Sequence, residues 1–280
     1  MRQIAISSNL FAQFPRRQAL EYTRRLGFRY IDLWSSPAFV QHLNPTNESP
    51  DVVRKELEQF DIKPISASIY FTTYDEKLEL FSYAARVGIP YVTFEIAPRS
   101  DFLEHMSNLS IHDRTLIKPG AGWAVFRNTM LKLLDVAEKV GIRIALQVPH
   151  VYTLIERIEE FNRFREELRH PALYFALSPT HTIARGSDIF DFISACGDRL
   201  AVLHLWNVKP DYKAEKDGRK WGTPKQQLAL KGYFDFPSLL QRKESEKAEF
   251  LCVKCHGTES WDDAKQIMNV VMNTVEVLSL

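Results

Sequence analysis

Four apolar runs in this chain end in side chains that could do chemistry. They are IRIALQVPH (Ile142–His150), LYFALSPTH (Leu173–His181), AVLHLWNVK (Ala201–Lys209) and FLCVKCHG (Phe250–Gly257). An imidazole or amine at such a tip can move a proton, polarise a carbonyl or hold an ion. Apolar strands that turn polar only at their carboxyl ends are what a parallel barrel needs, because its ligands bind at that end.

Stepping along the chain, the same alternation recurs. Ile4–Ser8, Phe28–Trp34, Lys63–Tyr70 and Tyr91–Ile96 are predicted strands, and they precede the four above. Amphipathic stretches follow each strand: Arg16–Leu26, Asp51–Phe60, Asp75–Val87, Val125–Val140, a helix to about Arg169, Asp188–Cys196, Phe236–Lys243 and one from Ser260 to about Val277. Gly27, Gly88 and Gly141 stop three of them. Thr153-x-x-Glu156 has the spacing of a capping box for the fifth. Eight strand–helix pairs predict a single-domain α/β fold over residues 1–280, a (β/α)8 TIM barrel. A doubly wound open sheet is disfavoured, since no Gly-x-Gly-x-x-Gly follows the first strand and no phosphate-binding glycine loop appears.

The composition narrows the function classes. With 36 basic and 35 acidic residues and a formal charge of +1, the chain has no basic footprint for nucleic acid. No apolar run approaches the ~20 residues that cross a bilayer. The N-terminus lacks a signal peptide's apolar core, so the expected location is the cytoplasm. Cys252-x-x-Cys255 has the spacing of a metal or redox pair, but residues three apart on a strand face opposite ways, which favours a structural reading.

Taken together, IAISSNLF, LGFRYIDLW, LQVPH, SPTH, LHLWNVK and VKCHG resemble the xylose isomerase-like TIM-barrel superfamily of sugar isomerases, ketose epimerases, inosose dehydratases and apurinic endonucleases. LHLWNVK is similar to the family's strand-seven His-x-x-Asp pattern, and SPTH to its strand-six Asp-x-x-His. The resemblance implies a divalent-cation site built from a strand-five Glu, strand-six Asp, strand-seven His and strand-eight Glu. This sequence carries Gln147, Ser178, His204 and Lys254 at those places, so only the histidine is kept. His181 is retained three residues after the strand-six position. Hard cations need carboxylate oxygens, and an ammonium about 4 Å from a dication repels it by ~8 kcal/mol at an effective dielectric near 20. A family-type metal site is therefore not expected. A zinc or manganese site recruiting His181, His204 and His256 is the arrangement left open.

The resemblance also makes the Cys252, Lys254 and His256 face the barrel interior, and the same alternation turns Asp32, Glu95, Gln147, Ser178 and His204 inward. The expectation is that the Lys254 ammonium replaces the cation, balanced by Asp32 or Glu95, while His204 or His256 moves protons. Asp32, Trp34, Tyr70, Glu95, Gln147, Ser178, His181, Trp206 and Asn207 would line the ligand site, with Trp34, Tyr70 and Trp206 stacking on a sugar ring. Each of these has a plainer alternative as hydrogen-bonded or packed core. The post-strand loops Ser35–Pro50, Arg99–Trp123 and Lys209–Tyr233 would rise on the same face, and the lysines of the third (Lys209, Lys213, Lys216, Lys220, Lys225, Lys231) favour an anionic sugar phosphate or sugar acid.

The resulting expectation is a sugar or polyol isomerase/epimerase-like enzyme of carbohydrate metabolism, without the usual metal. A non-catalytic barrel that binds a sugar-like metabolite is the alternative, and DNA repair lacks both ligands and positive surface. The expected partner is a small sugar-like molecule, with no nucleic acid and no membrane; a homodimer is left open.

Overall fold

The computed structural model describes residues 3–37, 40–70, 72–95, 122–150, 153–184, 186–209, 214–216, 219–221, 225–227, 234–254 and 264–278. Eight parallel strands form its centre: β1 Gln3–Ser7, β2 Tyr30–Ser36, β3 Lys63–Ser68, β4 Tyr91–Glu95, β5 Arg143–Gln147, β6 Leu173–Leu177, β7 Leu200–Leu205 and β8 Phe250–Val253. Each pairs with the next, and β1 pairs with both β2 and β8, which closes the barrel. The helices that follow are α1 Arg16–Arg25, α2 Pro50–Gln59, α3 Tyr74–Val87, α4 Trp123–Val140, α5 Ile158–Glu167, α6 Ile189–Cys196, α7 Phe236–Gln241 and α8 Ala264–Val277.

Local chemistry sets the helix ends. Ser49 caps α2 through Asp51 N with Pro50 in the first turn, and Thr73 and Glu76 form a reciprocal capping box on α3. Gly88 ends α3 at φ +89°, a left-handed position that favours glycine. The expected Thr153–Glu156 box is corrected: α5 begins at Ile158, and Glu160 takes the backbone N–H groups of Glu156 and Arg157 at 2.8 and 3.0 Å. Thr153 instead donates to His150 O at 2.7 Å, and Glu156 is buried.

Two further differences bear on the barrel mouth. Strand seven does not run on to Lys209. It stops at Leu205, and Asn207–Lys209 pairs antiparallel with Lys225–Gln227 outside the barrel sheet. Ser178 is followed at once by a short helix, Pro179–Ala184, that the sequence pattern did not reveal.

Two apolar layers hold this frame. Helix faces pack on the outside of the sheet through side chains such as Leu20, Val53, Phe81, Leu133, Phe161 and Phe192. Inside, Ala5, Ala145, Ala176 and Ala201 leave room for Tyr91, Phe250 and Cys252. The N-terminal end is plugged: Tyr91 donates to Glu249 at 2.6 Å and accepts from Arg143 at 2.8 Å. The polar interior is thereby confined to the other end.

Candidate functional site

At the carboxyl end of the barrel, Asp32 is built first. Pro64 on β3 has no N–H to give the ladder, and the β2–β3 register shifts between Ile31, opposite Pro64, and Asp32, opposite Ser66. Asp32 consequently lies among hydroxyls. Its Oδ1 accepts from Ser66 and Ser68, both at 2.7 Å, and its Oδ2 from Ser7 at 2.8 Å and Trp34 Nε1 at 3.1 Å. Four donors thus converge on one fully buried carboxylate, satisfying both of its oxygens.

Lys254 follows β8 directly and is 2% exposed. Its Nζ lies 4.9 Å from the Trp34 ring centroid, 5.1 Å from Tyr70 and 5.6 Å from Trp206. These three rings, expected to stack on a sugar, lie around the amine. Burial pushes the Lys254 ammonium down to about 8, while Asp32 and Cys252 act in the opposite direction. The aromatic faces work on the same side as Asp32. At neutral pH the group is a cation. Cys252, two residues earlier on the interior face, is a free buried thiol that burial, followed by the charge of Asp32, pushes well up.

From Lys254 a single line of hydrogen bonds crosses the mouth. Nζ donates to Tyr70 Oη at 3.5 Å, Tyr70 donates to Gln147 Oε1 at 2.6 Å, and Gln147 Nε2 donates to Ser178 Oγ at 3.1 Å. Ser178 Oγ then meets His204 Nδ1 at 2.8 Å. A serine hydroxyl carries one donor and two acceptor positions, so the direction of the Ser178–His204 bond follows the tautomer of the imidazole. Burial, then the charge of Asp32, raises the Tyr70 phenol well above its usual range, so it is a fixed donor.

The other expected residues lie around this line. Glu95 ends β4, and its charge acts on Lys77, a second buried lysine that sequence reasoning missed. Lys77 comes from α3, donates to both Thr72 O and Thr72 Oγ1 at 2.9 Å, and is lowered to about 8, chiefly by burial. His181 is buried on the short helix, with its ring 4.1 Å from that of His150 and 5.7 Å from Trp206. His150 was visible only as the last letter of LQVPH. Asn207 spends its amide on the backbone of Phe234, donating at 2.8 Å and accepting at 2.9 Å, and so ties down the end of the long loop. His256 and Cys255 lie outside the described residues. A separate surface cavity of about 680 Å³, lined by Arg165, Arg169, His170 and Arg199 among others, opens at the opposite end of the barrel.

The model of the xylose isomerase-like TIM barrel matches residues 20–248. The chain belongs to that family. Solved structures share the fold at low identity. A crystal structure of the IOLI protein with a bound zinc atom has TM-score 0.71 and 16% identity, over 99% of this chain and 98% of that one. The probable 3-DHS dehydratase AsbF of Bacillus anthracis has TM-score 0.71 and 13% identity, over 99% of both chains. A D-allulose 3-epimerase from Methylomonas sp. has TM-score 0.70 and 15% identity, over 99% and 98%. No curated protein matches the sequence.

Within this xylose isomerase-like barrel, the four positions to which the resemblance assigns a cation carry an amide, a hydroxyl, an imidazole and an amine. Both ends of the Gln147 amide are engaged by protein groups. Among the described residues, no group of three or more His, Cys, Asp or Glu side chains could hold a metal ion. Hard divalent cations bind through clustered oxygens, most of them anionic.

Proposed function

We propose that this chain is a sugar- or polyol-directed enzyme of the isomerase/epimerase type whose electrophile is Lys254 in place of a divalent cation. The observation that carries this reading is the Lys254 ammonium, buried at the barrel mouth between Trp34, Tyr70 and Trp206. A fixed positive charge in a water-poor site stabilises the oxygen that becomes negative when a proton leaves the carbon next to a carbonyl. The proton itself falls to a rim imidazole, His204 in the hydrogen-bonded line or His181 against His150. The D-allulose and L-ribulose 3-epimerases among the structural neighbours support the substrate class.

The test starts from protein stripped of metal with a chelator. Ketoses, aldoses, polyols and sugar acids are screened by thermal shift, and any binder is incubated in D2O to follow deuterium into its C–H positions. Exchange that persists in chelator and disappears in Lys254→Met supports the reading. Exchange that requires added Mn²⁺ overturns it.

A second reading is a non-catalytic binding barrel. It is favoured by the engagement of Gln147 and Ser178 with their neighbours in the protein. Binding across the panel with no exchange in any ligand selects it.

A further inference from the structure

We infer that Lys254 anchors the carboxylate of a sugar acid, together with the oxygen on the carbon next to that carboxylate. The inference rests on the proposed sugar-directed site and names its ligand class. Its basis is a deficit of acceptors. An ammonium has three N–H donors, and Lys254, 2% exposed, places one of them on Tyr70 at a long 3.5 Å. Lys77 on α3, equally buried, has two acceptors at 2.9 Å on Thr72, just before that helix. Lys77 shows how this fold satisfies the donors of a buried lysine from a neighbouring residue of the chain.

The described neighbours of Lys254 do not make up the deficit. Asp32 is the nearby anion named by its effect on the amine, and its oxygens are occupied by Ser7, Trp34, Ser66 and Ser68. The Tyr70 and Gln147 bonds of the polar line both run away from the amine, to Gln147 and to Ser178, so among the described residues the line turns no further acceptor back towards it. Three aromatic faces supply attraction but no directed acceptor. A buried, charged donor with two N–H groups that meet no acceptor among the described residues is completed by a ligand carrying two adjacent oxygens, one of them anionic. An α-hydroxy or α-keto sugar acid has that pair. A polyol has two oxygens and no charge.

The test compares sodium D-gluconate with D-glucitol, which has the same carbon count and no carboxylate, by calorimetric titration of the metal-stripped protein. Gluconate is expected to bind about 10- to 100-fold more tightly, the range for a charge-assisted bond to a buried partner. Lys254→Met, or Lys254→Gln if the first variant does not fold, is expected to remove that preference. Equal affinity for the two compounds, or a preference that survives loss of the amine, overturns the inference. Deuterium exchange in a neutral ketose without a carboxylate preference would sink this inference and leave the enzymatic reading standing. A carboxylate preference with no exchange anywhere would do the reverse.

Discussion

The Tyr70 hydroxyl donates to Gln147 Oε1 at 2.6 Å, joining residues 77 positions apart across the mouth of the barrel. Tyr70 is the only described group linking Lys254 to the line that ends at His204. In Tyr70→Phe the ring wall around the amine is kept, while Gln147 Oε1 loses its donor in a buried setting. We expect a loss of about 1–3 kcal/mol in urea unfolding, with ligand affinity weakened as well. Unchanged stability would mean that water takes the place of the phenol.

Ser178 Oγ meets His204 Nδ1 at 2.8 Å, and with Ser178 as the donor the imidazole proton sits on Nε2. Long-range proton–nitrogen correlation spectra of histidine-labelled protein are expected to show His204 neutral and protonated on Nε2, identified by its disappearance in His204→Gln. In Ser178→Ala the Nδ1 acceptor has no donor, and a mixture of tautomers is expected. A wild-type Nδ1–H signal would reverse the direction of the hydrogen-bond line.

Asp32→Asn exchanges two acceptor faces for one. Its amide N–H2 would point at Ser7 and the Trp34 N–H, or at Ser66 and Ser68, all of which act as donors now. A loss of about 3 kcal/mol or more is expected in chemical unfolding, since a buried charged acceptor with several bonds is removed. A loss below half of that would show the serines can turn to suit an amide.

Stability should depend on pH through the two buried lysines. Burial lowers both Lys77 and Lys254 from the ordinary 10.5 to about 8. Between about pH 8 and 10.5 the unfolded chain binds protons that the folded one has released, so stability rises with pH over that window. Below it the full cost remains, on the order of 3 kcal/mol per lysine at 1.36 kcal/mol for each pH unit. Lys254→Met should flatten the rise between pH 8 and 10 and raise stability at pH 7. An identical slope in the variant would show that Lys254 stays protonated through the window.

Much of this site could be read from strand alternation. Gln147, Ser178, His204 and Lys254 lie at strand tips, where the two-residue period and the family resemblance settle which side faces inward. Lys77 was not legible, because a lysine in an amphipathic helix gives no sign that it is buried with its amine on Thr72. Ser7, Ser66 and Ser68 are unremarkable letters until the Pro64 register shift gathers them around Asp32. Trp34, Tyr70 and Trp206 are legible at the mouth from their strand ends, but their approach to one buried amine depends on how three separate strands converge. The capping role went to Glu160 over Glu156 by local competition within one turn, a choice that spacing leaves undecided.

The most direct measurement is an anomalous difference map from crystals grown in manganese. With Lys254 as the built-in cation, the map is expected to be featureless between Gln147, Ser178, His204 and Lys254, with the amine still between its three rings. A strong peak bonded to Gln147 and His204, with Lys254 swung out of the mouth, would contradict the account.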